Sequence, residues 1–168
     1  MQEKDQLEKL KIIQALKPLK EEHLKALLKR SVIKSYKDQD EIVAEGEVSH
    51  YLYAVLDGSV TVNVARVSQK NTYITTIGAG EIFGEAGLFV KVKRTASVIS
   101  GGDSLIWEIH RHELFSFIKE FPQAGNTFLV LMIYSMLKKL REANQELAYE
   151  RADVIDQNDI DELIAELL

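Results

Sequence analysis

The chain has 168 residues, of which 46% are apolar and 28% charged, values that fit one soluble globular domain. It contains no cysteine, which excludes disulfide bonds and thiolate metal sites. Its charged N-terminus differs from a signal peptide, and no apolar run reaches the roughly 18 residues of a membrane span. We therefore expect a cytoplasmic protein that has no membrane partner.

The formal net charge is −5, which opposes binding to nucleic acid. The acidity is concentrated at the end of the chain. From Glu150 onward there are seven acids and one arginine, a net charge of −6, so the preceding residues sum to about +1. The main body is close to neutral, and the C-terminal stretch is an acidic tail.

Two short helices are predicted before residue 30. The first carries apolar residues at near-helical spacing and is interrupted at Pro18. Its apolar residues are Leu7, Leu10, Ile13 and Leu16. The second begins near Glu21, where acids favour the positive end of the helix dipole, and carries Leu24, Leu27 and Leu28 inward.

From Ser31 to roughly Ile109 the apolar spacing becomes that of β-strands. Asp57-Gly58 and the stretch Ser68–Asn71 have the composition of hairpin turns. The apolar runs are Val32-Ile33, Ile42-Val43, Tyr51–Leu56, Val60 with Val62 and Val64, Tyr73 with Ile74 and Ile77, Ala96–Ile99, and Leu105 with Trp107 and Ile109. Seven or eight short strands with glycine turns predict a sandwich or jelly roll.

Residues Phe83–Val98 read FGEAGLFVKVKRTASV and combine groups that suit a phosphosugar. A turn bounded by Gly84 and Gly87 aims backbone N–H groups at one point, which suits an anion. Arg94 adds a planar fork of donors that matches phosphate. Glu85 is suited to accept a hydrogen bond from a sugar hydroxyl, as the acid of a dinucleotide fold does.

This stretch resembles the phosphate-binding cassette of cyclic-nucleotide-binding domains, found in catabolite-activator regulators, cyclic-nucleotide-dependent kinases and cyclic-nucleotide-gated channels. The matching residues are Phe83-Gly84-Glu85, Gly87-Leu88-Phe89 and Arg94-Thr95-Ala96-Ser97-Val98. Lys93 departs from the pattern, because a proline often precedes the arginine. The departure leaves every ligand contact of the pattern in place.

The resemblance covers about residues 5 to 148 and implies a mainly β fold with flanking helices. The fold that the resemblance implies is an eight-stranded double-stranded β-helix, or jelly roll, with N-terminal helices and a long C-terminal helix. The expected segments are an N-terminal helical cap (1–30), the β-roll (31–110), a lid and long dimerisation helix (111–149) and the acidic C-terminal tail (150–168), forming one domain overall.

The resemblance also implies a cyclic-nucleotide sensor, with cAMP or cGMP as ligand and no metal or other cofactor. Arg94 would pair with a phosphate oxygen and Glu85 would accept from the ribose 2′-hydroxyl. Backbone N–H groups near Gly84, Ala86, Gly87 and Ala96 would bind the other phosphate oxygens. Phe83 and Ile77 would form walls of the pocket.

The contacts to the base are less constrained by the motif. Thr95 is suited to hydrogen-bond a guanine in the syn form, yet the choice between cAMP and cGMP stays open. The base would extend toward the long helix, where Arg141, Asn144 or Met136 would cap it. Ligand binding would then move this helix relative to the roll.

Helical spacing returns at Arg111–Glu120, stops at Phe121-Pro122 and resumes for about 25 residues. The long helix carries a heptad seam with one polar position, which favours a parallel homodimer through residues 130–147. The seam consists of Val130, Ile133, Leu137, Leu140, Asn144 and Leu147. A second apolar stripe of Leu129, Met132 and Met136 is placed to lie against the roll.

The acidic tail is predicted to form a separate short helix with Ile160, Leu163, Ile164 and Leu167 on one face. It would pack on its own dimer or dock on an effector protein. The tail is too short and too acidic for a DNA-binding domain, so the sequence favours a stand-alone sensor. The alternative is a degenerate β-roll that acts as a nucleotide-independent protein-interaction module.

An enzyme with a metal site is the main chemical alternative, because metal-binding cupins share a double-stranded β fold. His110 and His112 are spaced to share one face of a strand, but no third histidine or carboxylate follows at suitable spacing. Lys91 and Lys93 are expected to be solvated loop charges. The sequence therefore predicts a binding domain and no catalytic residues.

Overall fold

The computed structural model describes the backbone of residues 3–65, 71–89 and 92–167, and side chains as far as residue 149. Most of the predicted loop Ser68–Asn71 lies outside the described residues, as does Lys91. The tail side chains Ile160, Leu163, Ile164 and Leu167 also lie outside the described part.

Eight strands form two antiparallel sheets of four strands each, in the orders β1-β8-β3-β6 and β2-β7-β4-β5. The strands are β1 (Ser31–Tyr36), β2 (Glu41–Val43), β3 (Tyr51–Asp57), β4 (Ser59–Ala65), β5 (Asn71–Gly78), β6 (Ile82–Phe83), β7 (Ser97–Ser100) and β8 (Ser104–His110). The chain changes sheet at every connection except that between β4 and β5. The predicted eight-stranded roll is confirmed.

The Asp57-Gly58 pair does not make the predicted hairpin. β3 and β4 lie in different sheets, so this turn carries the chain from one sheet to the other. Gly58 has φ +76°, and a Cβ there would lie 2.6 Å from the carbonyl oxygen of Asp103. A turn is present as predicted, but the predicted pairing of the two strands that flank it was wrong. Gly58 is needed here because Asp103 lies so close, and a hairpin turn would favour glycine equally. The β4–β5 connection is a true hairpin, with Ala65 opposite Asn71.

The interior of the roll is an apolar cluster to which both sheets contribute, as expected for two sheets packed face to face. Its buried members are Val43, Tyr53, Val55, Val60, Ile77, Phe83, Val98 and Ile106. The alternate side chains of the first sheet, such as Ala54 and Trp107, are buried on its opposite face. The first sheet is therefore covered on both sides.

The helices are α1 (Glu3–Leu10), α2 (Glu21–Leu28), the single turn α3 (Ala86–Phe89), α4 (Arg111–Glu120) and α5 (Pro122–Leu167). The first predicted helix was expected to continue through Leu16, and that extension was wrong. Ile13 and Leu16 are buried, but they follow α1 in turns, where the N–H of Gln14 donates to the carbonyl of Gly80 at 3.0 Å. The backbone of Gln14 thus bonds to Gly80 and not to the preceding helical turn, while Ile13 and Leu16 stay buried in the protein interior.

The last helix is longer than predicted, since α5 continues without a break from Pro122 to Leu167 and no separate tail helix begins.

The chain divides into two compact units, Met1–Leu129 and Val130–Leu168. In the first unit Gly125 lies against Ile118, where an added Cβ would come within 2.8 Å of a side-chain carbon. In the described residues, none of the helices combines the length and apolar character needed to cross a bilayer.

Candidate functional site

The glycine-bounded turn follows β6, which pairs with β3 so that Phe83 lies opposite Tyr53. Gly84 has φ +79°, a conformation that glycine adopts without strain, and the single turn α3 begins two residues later. The N–H of Gly87 donates to the carbonyl of Gly84 at 3.2 Å. One of the N–H groups predicted to bind phosphate is thus already used within the turn.

Gly87 is packed so closely that no larger residue fits. An added Cβ would lie 2.5 Å from the backbone oxygen of Ser49 and 3.0 Å from Nη1 of Arg94. The glycine therefore lets α3 approach both the arginine and the segment before β3. The predicted close association of this turn with Arg94 is present in the structure.

The guanidinium of Arg94 lies beneath the turn, and only 9% of the residue is exposed. Nη1 donates to the carbonyl of Gly84 at 2.9 Å, and Nη2 donates to the carbonyl of Tyr51 at 2.8 Å. A third, longer bond of 3.3 Å joins Nη2 to Oγ of Ser49. These bonds fix the plane of the guanidinium.

The remaining donor of this side chain, Nε, is buried and has no hydrogen-bond partner within the described part of the chain. A buried charged donor without an acceptor is costly, by about 1–3 kcal/mol or more. The other such atom among the described residues is Nδ1 of His23, whose cost is lower because a neutral imidazole can leave one nitrogen unprotonated. Nε of Arg94 is therefore the donor for which an external acceptor is most needed.

The segment Gly46–Tyr51 packs beside both the turn and Arg94. The backbone N–H of Arg94 donates to Glu47 at 2.8 Å, and its carbonyl accepts from Gly46 at 2.8 Å. Sequence reasoning missed this segment as part of the site. The acceptors are mostly backbone carbonyls, which leave no signature in side-chain identity.

Phe83 and Ile77, predicted to wall the pocket, are both buried in the apolar cluster of the roll. Phe83 stacks on Tyr53 with ring centroids 5.0 Å apart and an interplanar angle of 11°. The Tyr53 ring also lies 5.9 Å from Cζ of Arg94, within the range of a cation–π contact. Tyr53 thus joins the apolar interior to the charged site.

The residues after Arg94 lead into β7. Thr95 is exposed and Ala96 is half-buried, so both border solvent near the arginine in sequence. Ser97 is engaged elsewhere, since its Oγ accepts from the N–H of Glu45 at 3.0 Å and donates to Glu41 at 3.1 Å. Of this run, Thr95 and Ala96 remain the predicted ligand contacts.

Glu85 and Ala86 open the α3 turn, with Glu85 half-buried and Ala86 exposed. The carbonyl of Glu85 accepts from the N–H of Leu88 at 3.1 Å, which fixes the backbone that carries the carboxylate. The structure thus brings Gly84, Gly87 and Arg94 into contact, with Glu85 and Ala86 on the same turn.

Arg141 and Asn144, the predicted base contacts, lie on α5 in the second unit, and both are exposed. Met136 on the same helix is 39% exposed. In the stripe predicted to face the roll, Met132 is fully buried and Leu129 is half-buried. The contacts to the base and to the roll stay predictions.

A polar cavity of about 480 Å³ adjoins the Arg94 site on the first sheet, sharing Ser49, Tyr51 and Tyr53 with it. Glu108 is buried there, accepting from the hydroxyl of Tyr36 at 2.6 Å and pairing with Nζ of Lys34 at 2.7 Å. Burial, with the bond to Glu108 second, raises the pKa of Tyr36 well above its ordinary value. The hydrogen bond that Lys34 donates to Glu108, together with the charge of Glu108, also raises the pKa of Lys34.

His110 and His112 do not share a metal-binding arrangement. His110 caps α4, its Nδ1 accepting from the N–H of His112 at 3.2 Å, and its ring lies against Tyr51 at 5.0 Å between centroids. No group of three histidine, cysteine or acidic side chains placed for a metal ion occurs in the described portion of the chain.

Comparison with known proteins gives a family match. The family profile described as "Cyclic nucleotide-binding domain" matches residues 33–121, which include both sheets from β1 onward and the Arg94 site. The cyclic AMP receptor protein of Thermus thermophilus is 26% identical over 106 residues, covering 63% of this chain and 47% of that protein. The chain thus spans about half the length of this curated relative.

Two solved structures have the same fold. A cyclic nucleotide-binding domain from Methylobacillus flagellatus superposes with a TM-score of 0.74 at 21% identity, covering 83% of this chain and 82% of that one. The regulatory domain of Toxoplasma gondii PKA, crystallised with cAMP, gives 0.65 at 21% identity, covering 83% and 49%. At these identities the likeness concerns the fold alone.

Proposed function

The chain belongs to the cyclic nucleotide-binding domain family, and from this we propose that it is a regulatory sensor domain that binds cAMP or cGMP at the Arg94 site. The observation that carries the proposal is the buried Nε of Arg94, which has no acceptor among the described residues. An exocyclic phosphate oxygen supplies the missing charged acceptor. Charge-assisted bonds of this kind are about twice as strong as neutral ones.

The rest of the site supports a small phosphosugar. Gly84 and Gly87 keep the wall beside Arg94 free of side chains, and Glu85 on the same turn accepts from the ribose 2′-hydroxyl. Two similar proteins are described with cAMP: the Thermus protein is called a cyclic AMP receptor, and the Toxoplasma regulatory domain was crystallised with cAMP. We place the phosphate against Arg94 and the ribose against Glu85.

We further propose that binding is transmitted through α5, whose seam pairs two copies of the chain. Five apolar seam residues are each more than half exposed, which is unusual for a helix that has no partner. They are Val130, Ile133, Leu137, Leu140 and Leu147. Arg141 and Asn144 lie among them, so a base bound there would bias the position of this helix.

Titration of the purified chain with cAMP and with cGMP, followed by thermal unfolding and calorimetry, tests the proposal. A nucleotide at 100 times its Kd should add about 2.7 kcal/mol of stability. Noncyclic 5′-AMP, with its different phosphate geometry, is the matched control and should give little shift. Stability unchanged by either cyclic nucleotide would favour the nucleotide-independent interaction module.

The variant Arg94→Ala tests the assignment of the phosphate. It removes a charged hydrogen-bond partner, so affinity should fall by about 2 kcal/mol, or roughly 30-fold. Lys93→Ala is the neighbouring control, because Lys93 is exposed and should change affinity only slightly. Equal affinities of Arg94→Ala and the unmodified chain would place the nucleotide elsewhere.

A further inference from the structure

We propose that Ser49 and Tyr53 are positioning residues, which hold the Arg94 guanidinium so that its Nε edge meets the phosphate. The inference rests on the proposed nucleotide binding and goes beyond the cassette motif, since both residues precede the cassette by about 30 residues or more. Neither side chain needs to touch the nucleotide. Each acts through the arginine.

The donors of a guanidinium form two usable edges, the pair of terminal Nη groups and the pair formed by Nε with Nη2. In Arg94 the terminal edge is occupied by the backbone carbonyls of Gly84 and Tyr51. Nε stays unpartnered within the described residues. Both hydrogens of Nη2 are engaged, one by Tyr51 and one by Ser49, so Nε is the donor on this edge that is left for a phosphate oxygen.

Ser49 lies at one end of that edge. Its Oγ accepts from Nη2 at 3.3 Å, a bond that is longer than those to the two carbonyls. Among the three acceptors of the guanidinium, Ser49 is the one that uses a side chain. It is thus the acceptor that a substitution can remove while the backbone frame stays intact.

The ring of Tyr53 lies next to the same guanidinium. Its ring lies 5.9 Å from Cζ and is itself held by stacking on Phe83. An added Cβ at Gly84 would come within 3.0 Å of Cδ2 of Tyr53, so the ring is in close contact with the turn. The tyrosine connects the rigid interior of the roll to the plane of the arginine.

The two residues contact the same guanidinium, Ser49 through its Oγ and Tyr53 through its ring. Substitution of either residue therefore weakens the support of one group. Residues that share a network are expected to show non-additive effects on substitution.

The test compares Ser49→Ala, Tyr53→Leu and the double variant by calorimetry with whichever cyclic nucleotide the unmodified chain binds. Each single variant should weaken binding about three- to tenfold, and the loss in the double variant should be smaller than the product of the two single losses. Ser49→Thr keeps the hydroxyl and should restore most of the affinity. Ser35→Ala and Tyr73→Leu, at exposed positions on β1 and β5, are the matched controls and should bind normally.

A second readout separates positioning of Arg94 from general stability. In the Arg94→Lys background, Ser49→Ala should have no further effect on affinity, since a lysine lacks the fork that Ser49 orients. In the ligand-free chain, ¹⁵N-labelled arginine should give resolved Nη signals for Arg94, because its bonds restrict rotation. Ser49→Ala should broaden or merge them.

Unchanged affinity in both Ser49→Ala and Tyr53→Leu would overturn the inference, as would an equal loss on Ser49→Ala in the Arg94→Lys background. Absence of binding by the unmodified chain to either nucleotide would count against the proposed function instead. In that case the ligand-free spectra decide the role of Ser49. Arg94 signals that Ser49→Ala leaves resolved would show that the serine does not hold the guanidinium.

Discussion

At the scale of single residues, we propose separate roles in ligand recognition for the carboxylate of Glu85 and the guanidinium of Arg94. The arginine is buried and fixed by backbone acceptors, so its charge is directed at one point. The glutamate lies half-buried on a turn whose backbone is hydrogen-bonded. The two groups can be tested separately because they are expected to meet different parts of the ligand.

A nucleotide that lacks the 2′-hydroxyl tests Glu85. We expect the unmodified chain to bind 2′-deoxy-cAMP about ten- to 100-fold more weakly than cAMP, the effect of losing a hydrogen bond to a charged group. If cGMP is the preferred ligand, 2′-deoxy-cGMP serves in the same way. Calorimetry on Glu85→Gln should show a smaller ratio between the two ligands, and an undiminished ratio would remove Glu85 from the ribose contact.

Gly87 is predicted to tolerate no side chain. In Gly87→Ala the new Cβ would meet the oxygen of Ser49 and Nη1 of Arg94, so the turn must shift. We expect a loss of about 1–3 kcal/mol in the free energy of unfolding, together with weaker nucleotide binding. Gly78→Ala is the control, because the nearest atom to its added Cβ is 3.7 Å away. Urea unfolding of both variants measures the difference.

At the scale of elements, the strands were readable because their apolar residues alternate, and the cassette was readable because its residues are adjacent in sequence. The extent of α1 was misread, since Ile13 and Leu16 continue the helical spacing after the backbone has turned toward Gly80. The spacing of apolar residues indicates which side chains are buried, but it does not show the hydrogen bond between Gln14 and Gly80 that ends the helix. The prediction of a hairpin at Asp57-Gly58 was wrong for a related reason. The residues of a turn do not specify which sheet the next strand joins.

Half of the Arg94 site escaped prediction for a physical reason. Arg94 has a distinctive side chain, and Gly84 and Gly87 are recognisable because they have none. The spacing of the three residues is diagnostic of the cassette. The carbonyls of Tyr51 and Glu47 are common to every residue type, and they reach Arg94 from more than 40 residues earlier in the chain. The pairing of β3 with β6 brings Tyr51 close to the turn, and the pairing of β2 with β7 is followed by the bonds between Glu47 and Arg94.

The adjacent strands β1 and β8 place Tyr36 and Lys34 on the buried carboxylate of Glu108, which predicts a loss of stability at alkaline pH. The pKa values of both groups are raised above their ordinary values of 10.0 and 10.5. A group whose folded pKa is raised contributes stability that is fully present below its unfolded pKa and is lost as the pH rises toward the folded value. The free energy of unfolding should therefore decline above about pH 10.

Tyr36→Phe should flatten this decline, because the tyrosine no longer titrates. At neutral pH the same variant should be less stable by about 1–2 kcal/mol, since one oxygen of buried Glu108 loses its partner. Tyr73→Phe, which changes an exposed tyrosine, should match the unmodified chain at neutral pH. Urea unfolding at pH 7 and pH 10.5 provides the comparison, and parallel declines in all three chains would contradict the role given to Tyr36.

At the scale of the whole molecule, the exposed seam of α5 predicts a homodimer. Leu137 is 59% exposed in the single chain, and burial of that part in a partner would contribute about 1–2 kcal/mol. Leu137→Glu should give a monomer in sedimentation velocity at concentrations where the unmodified chain is dimeric. Gln145→Glu adds the same charge at an exposed position outside the seam and should leave the dimer intact. A monomeric unmodified chain at about 100 µM would contradict the predicted pairing.

The position of β8 in its sheet has a consequence for how the chain folds. β8 lies between β1 and β3, pairing Ser31 with Ile109 and Tyr51 with His110, although it is the last strand to be synthesised. Until Ser104–His110 has left the ribosome, β1 and β3 have open edges that invite non-native pairing. A nascent chain that ends at Val98 would carry the complete cassette sequence, yet β3, which presents Tyr51 and Tyr53 to Arg94, would still lack its central neighbour.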